Sequence, residues 1–191
     1  MTNLPLERFE PHYLIETAIA FAVASHEAVG QKRKYTGEPY WHHPHMVATI
    51  VGEFTDDEDI IAAAWLHDVV EDTQAPLATI EKFFGERCAG LVDDMTDKAP
   101  LEYGNRAKRK EFERARLSRV SPEAKLIKLA DIKNNTESIV QHDPKFAKVY
   151  LSEMRLLLPE LFNYHQGRGR YDLWGNVRSQ VEQGCYELGI S

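Results

Sequence analysis

Ile60-Ile61-Ala62-Ala63-Ala64-Trp65-Leu66-His67-Asp68-Val69-Val70-Glu71-Asp72-Thr73 is the stretch whose reading decides the fold. Ile60, Ile61, Ala64, Trp65 and Val69 recur at helical spacing behind Thr55-Asp56-Asp57, whose acids suit a positive helix start. The spacing predicts a helix that ends near Thr73. Leu14, Ile15, Ala18, Ile19, Ala22 and Val23 repeat the same period, and no segment alternates apolar and polar residues over strand length. An all-α chain follows, a compact bundle of about eight to ten helices once the breaks are counted. Gly30 and the basic turn before Pro39 end the first helix, and His43-Pro44 precedes the second. Gly85 separates two helices, and Thr96 to about Asn105 reads as a long loop. Ser121-Pro122 and Asp143-Pro144 each place a capping side chain before a proline at the first helical position.

The 191 residues are 43% hydrophobic and 28% charged, the balance of one globular domain with a real core. Lys plus Arg is 23 against Asp plus Glu at 30, a net charge of −7, so no broad footprint for a nucleic-acid polymer or an anionic membrane is expected. No apolar run reaches membrane-spanning length and no charged-then-apolar leader opens the chain, so a cytoplasmic location is expected. Cys88 and Cys185 form no CxxC pair and read as reduced thiols. Residues 1–165 are read as one domain, with 166–191 as a basic connector and a last helix packed on it.

Eight histidines are the unusual item, and His26, His42, His43, His45 and His67 crowd residues 26–67. On a continuous helix His67 would sit over Glu71 and Asp68 over Asp72, four polar groups on one side of a helix otherwise built for the core. Inward-facing ionisable groups are costly unless paired or metal-bound. An imidazole with carboxylates suits Mn²⁺, Fe²⁺, Zn²⁺ or Mg²⁺. Asp131 follows an apolar helical turn, with Asn135 four residues on and Lys128 three before; an ordinary Lys128–Asp131 ion pair accounts for that spacing equally well. Lys32, Arg33 and Lys34 offer charge for phosphates, and they precede Gly37-Glu38-Pro39-Tyr40-Trp41-His42-His43-Pro44-His45. His26 and His45 are read as structural or surface residues, and Asp143 of a second His-Asp doublet as a helix cap.

Together these segments resemble the HD-domain metal-dependent phosphohydrolases, and more closely the hydrolase module of the RelA/SpoT alarmone enzymes and the stand-alone small alarmone hydrolases. The ordered likeness runs from about Ala18 to Ile139 through Ala24-Ser25-His26, Gly30-Gln31-Lys32-Arg33-Lys34, Gly37-Glu38-Pro39-Tyr40, His43-Pro44, the Ala63 to Thr73 block, Met95-Thr96-Asp97 and Ala124 to Asp131. The resemblance implies one ion, usually Mn²⁺, on His43, His67, Asp68 and Asp131. It implies that Glu71 and Asp72 position or deprotonate the attacking water, that Arg33 and Lys34 contact the nucleotide, and that Asn135 is the family's asparagine after the distant aspartate. Lys128, read from its own charge, is a further candidate to attract the polyphosphate, and Asn135 to bond ribose or phosphate. The expected reaction is hydrolysis of a nucleotide 3′-pyrophosphate, (p)ppGpp or (p)ppApp, to the nucleotide and pyrophosphate, without a synthetase domain. Its partner is a small nucleotide polyphosphate, and homo-oligomers are compatible with it.

One departure concerns the residues after Asp131. Where the alarmone hydrolases continue with a basic residue, an apolar residue and tyrosine, then Asn-Leu-Arg, this chain has Ile132-Lys133-Asn134-Asn135-Thr136-Glu137. An altered wall for base and ribose is therefore expected. Two alternatives keep the same fold: another HD-domain nucleotide phosphohydrolase, such as a nucleoside monophosphate phosphatase, or an inactive nucleotide-binding protein.

Overall fold

The computed structural model describes residues 13–162 and 172–190. They form ten α-helices: α1 Leu14–Ala28, α2 His42–Gly52, α3 Glu58–Leu66, α4 Val69–Asp72, α5 Leu77–Phe84, α6 Glu86–Met95, α7 Arg106–Leu117, α8 Pro122–His142, α9 Pro144–Leu157 and α10 Leu173–Glu187. Among the described residues the only β pairing is an isolated bridge between Lys32 and Pro39.

α3 is the hub, packed on α1, α2, α6 and α8. Ile60, Ala62, Ala63, Ala64, Trp65 and Leu66 are all buried on it. A helix apolar all round belongs in a core, and its alanines let neighbouring helices approach closely. α8 is the second axis and touches α2, α6, α9 and α10. Leu173, Val177, Val181 and Cys185 seat α10 against α8 and α9. The Gln166 to Arg170 connector lies outside the described residues.

Caps explain where the helices start. Ser121 Oγ accepts from the Ala124 N–H and Asp143 Oδ1 from the Phe146 N–H, as read from the sequence. Gly85, at φ 87°, ends α5 and begins α6 in a conformation open to a residue without Cβ.

Two expectations need correction. The predicted helix from Asp57 to Thr73 is broken: α3 stops at Leu66 and α4 starts at Val69, with His67 and Asp68 in the turn between. The ring of His67 turns back to bond the Ala64 carbonyl oxygen through Nδ1, at 2.8 Å. The stretch from Thr96 to Asn105 is not wholly irregular either, since Leu101–Tyr103 forms a 3-10 turn.

Candidate active site

The break after α3 gives the four polar groups different surroundings from those a continuous helix would have given them. His67 is buried and Asp68 half-buried, whereas Glu71 and Asp72 are exposed. Asp68 turns toward α2, where its Oδ2 lies 3.1 Å from His67 Nε2 and 3.5 Å from His43 Nε2. Asp131, on α8, brings Oδ1 to 3.3 Å from the same His43 nitrogen. Three separate stretches thus meet at one point, although they lie up to 88 residues apart in sequence. His43, His67 and Asp68 each offer one ligand atom within 4.8 Å of the others.

The chemistry of this donor set fits a cation. His67 Nε2 is buried and makes no well-aligned hydrogen bond despite the nearby Asp68 oxygen. Its Nδ1 is committed to a backbone carbonyl, which leaves Nε2 aimed at carboxylates. Burial works against charge on His67, but Asp68 and Asp131 outweigh it and push the imidazole up to about 9. Burial would likewise raise Asp68 and Asp131. The opposing charges of His67 and His43 on Asp68, and of Lys128, His43 and His67 on Asp131, hold both well below the usual carboxylate range. One buried and one half-buried carboxylate, both kept ionised beside two imidazoles, make a site for positive charge, which a proton or a divalent ion can supply.

Neighbouring side chains hold the set in place. Tyr40 OH donates to Asp68 Oδ2 at 2.6 Å, and burial followed by the charge of Asp68 raises the phenol so that it stays protonated. His26 Nδ1 donates to Gln31 Oε1 at 2.6 Å, and Gln31 Nε2 donates to Asp72 Oδ2 at 2.8 Å. His26 is thus a buried structural histidine, lowered mainly by burial. Glu71 Oε2 accepts from the Asp97 N–H at 3.2 Å. Although much of Glu71 faces solvent, its carboxyl is crowded there, and this partial burial, with the charge of Asp97, raises its pKa.

A cavity of about 500 Å³ opens beside Asp131 between α7, α8 and α9. Lys128 and Asn135 line it, as do Arg106, Lys110, Arg114 and Tyr150. Lys128 Nζ lies 2.8 Å from Asp131 Oδ2; burial opposes its charge, but Asp131 more than compensates and keeps it protonated. Asn135 Nδ2 donates to Asp131 Oδ1.

The sequence matches the HD domain family over residues 18–153. The chain belongs to that family. A protein of Synechocystis sp. named a probable guanosine-3′,5′-bis(diphosphate) 3′-pyrophosphohydrolase is 33% identical over 160 residues, covering 82% of this chain and 21% of that protein. A guanosine-3′,5′-bis(diphosphate) 3′-pyrophosphohydrolase of Drosophila melanogaster is 44% identical over 117 residues, 60% of this chain and 64% of the fly protein. This HD-domain chain therefore spans about a fifth of the cyanobacterial relative and just under two thirds of the fly one. Among solved structures, one described as a metazoan ortholog of SpoT that hydrolyzes ppGpp and plays a role in starvation responses superposes with a TM-score of 0.75 at 26% identity, over 100% of both chains. The expected HD-type helical bundle is thereby shown.

Not every expected residue reaches the HD-domain site. Arg33 and Lys34 do not line the cavity. Lys34 is exposed and pairs with Asp143 at 3.3 Å, and Tyr35 beside it stacks on His142 at 5.6 Å, so these contacts hold the basic loop against the α8–α9 junction. Arg33 closes its own loop through its backbone N–H to the Glu38 carbonyl. Nor do Asn134 and Glu137 line that wall: Asn134 turns to His43, and Glu137 borders a separate depression between α8 and α10. The cations Arg106, Lys110 and Arg114 had no signal beyond a charged helix, and only the fold shows that one face of α7 borders the cavity.

Proposed function

We propose that the chain hydrolyses a nucleotide 3′-pyrophosphate, (p)ppGpp or (p)ppApp, releasing the nucleotide and pyrophosphate. The observation that carries this is the convergence of His43, His67, Asp68 and Asp131, the last of which also lines a cavity where Lys128, Arg106, Lys110 and Arg114 stand among carboxylates. His43, His67, Asp68 and Asp131 would hold one divalent ion, which we take to be Mn²⁺. A divalent ion supplies Lewis acidity there, making water acidic near neutral pH and offsetting negative charge at phosphorus.

The chain's own groups do the rest. Glu71, with its raised pKa, is suited to accept the proton of the attacking water, and Asp72, held by Gln31, to orient that water. Lys128 and Asn135 place an ammonium and an amide beside Asp131, where they bind phosphoryl oxygens. Water attacks the phosphorus bonded to the ribose 3′ oxygen, that P–O bond breaks, the water oxygen leaves in pyrophosphate, and the freed 3′ oxygen of the nucleotide takes a proton. Arg33 and Lys34 would attract the polyanion from outside the cavity, Lys34 by exchanging Asp143 for phosphate. The related names support the reading, since proteins similar over much of this chain carry that activity in their names.

We further propose that residues 1–165 form the catalytic domain, completed by 166–191, and that the protein works in the cytoplasm on a small nucleotide. No helix among the described residues is long and apolar enough to cross a membrane. The test is to incubate purified protein with ppGpp and with ppApp, each in Mn²⁺ and in chelator. Release of pyrophosphate in Mn²⁺ alone supports the assignment. Turnover that survives chelation, or none on either substrate, removes it.

A further inference from the structure

We propose that Asn134 is a positioning residue that locks the ring of His43 with Nε2 facing the cation site. The proposal rests on the reading of His43 as a metal ligand. His43 is 2% exposed on α2, and its Nδ1 lies 2.7 Å from Oδ1 of Asn134, a side chain 91 residues later on α8. An amide oxygen only accepts, so Nδ1 is the nitrogen that donates to Asn134, and Nε2 is the nitrogen left to face the cation site. That nitrogen is the one facing Asp131 Oδ1 at 3.3 Å and Asp68 Oδ2 at 3.5 Å.

The two imidazoles of the site are thus fixed from behind by different means. His67 uses the Ala64 backbone carbonyl of the preceding helix, which no side-chain substitution removes. His43 depends on a side chain. Asn134 and Asp131 stand three residues apart on α8, about one helical turn, so one element delivers both an acid to the site and the support for a histidine on another helix. Asn134 does not line the cavity beside Asp131. It also occupies the place where the resemblance leads one to expect tyrosine. The amide is therefore best read as serving the histidine rather than as a changed wall for the base.

The test compares Mn²⁺ affinity, read by electron paramagnetic resonance titration, for wild type, Asn134→Ala, Asn134→Leu and Asn134→Asp. Alanine and the near-isosteric leucine remove the acceptor, and aspartate keeps it. Loss of the acceptor should weaken Mn²⁺ binding about 10–100-fold, whereas Asn134→Asp should stay close to wild type. Thermal melts of the metal-free proteins accompany the titration, and comparable melts assign the loss to the ligand ring rather than to folding. Wild-type affinity in both Asn134→Ala and Asn134→Leu would overturn the proposal, as would an equal loss in all three variants. Failure of the wild type itself to bind Mn²⁺ would instead overturn the metal-site reading and this inference with it.

Discussion

At the scale of single residues, the site sets two ionised carboxylates beside two imidazoles. Asp131 is 7% exposed, holds Lys128 at 2.8 Å and faces His43 at 3.3 Å. Asn135 and Lys128 both bond its oxygens, so the isosteric Asp131→Asn removes the charge with little change of shape. Mn²⁺ affinity in that variant should fall by more than about 100-fold, beyond what loss of a supporting residue gives, as isothermal titration calorimetry can measure. The four proposed ligands came from the ordered resemblance to the HD family, since the spacing around Asp131 alone is explained equally well by an ion pair with Lys128. Tyr40, Gln31 and Asn134 were not legible as supports. Tyr40 meets Asp68 across 28 residues, Gln31 meets Asp72 across 41 and Asn134 meets His43 across 91. Such partnerships exist only after helices from distant parts of the chain have packed.

At the scale of elements, helix caps were read correctly because capping is a short-range device, and Ser121 and Asp143 bond N–H groups three residues on. The break between α3 and α4 was missed for the complementary reason. Residues 60–72 carry an uninterrupted helical pattern, and the turn depends on where His67 and Asp68 find their partners. The start of α3 is held by a second device absent from local patterns. Arg87 of α6 forks onto Asp57, with both nitrogen–oxygen pairs at 2.7 Å, and reaches Asp59 at 3.0 Å. The pair is partly exposed, so screening limits its worth, and Arg87→Ala should cost about 1 kcal/mol at pH 7 by urea unfolding. The Arg87 fork holds the Asp57 carboxyl below its ordinary value of 3.8. A depressed folded pKa contributes stability that is fully present above the unfolded value and is lost as pH falls through the folded one. The gap between wild type and Arg87→Ala should therefore hold at neutral pH and narrow once the pH drops below about 3.8.

At the scale of the molecule, the fold supports the site by crossing α2, the α3–α4 turn and α8 beside one cavity. All-α architecture and one core were legible from periodicity and composition, because both are averages over many residues. Which charged face borders the cavity was not, and the basic loop expected there is instead held by Asp143 and His142. If the site binds a cation only when folded, the ion stabilises the whole chain. Mn²⁺ at a hundredfold excess over its dissociation constant should raise the unfolding free energy by about 2.7 kcal/mol, and chelator should reverse it. Asp131→Asn should lose that increment at the same concentration. Anomalous diffraction from crystals soaked in Mn²⁺ tests the account most directly. It predicts one strong peak enclosed by Nε2 of His43, Nε2 of His67 and the carboxylates of Asp68 and Asp131. A map with no peak there, or with manganese elsewhere and those four side chains uncoordinated, would contradict it.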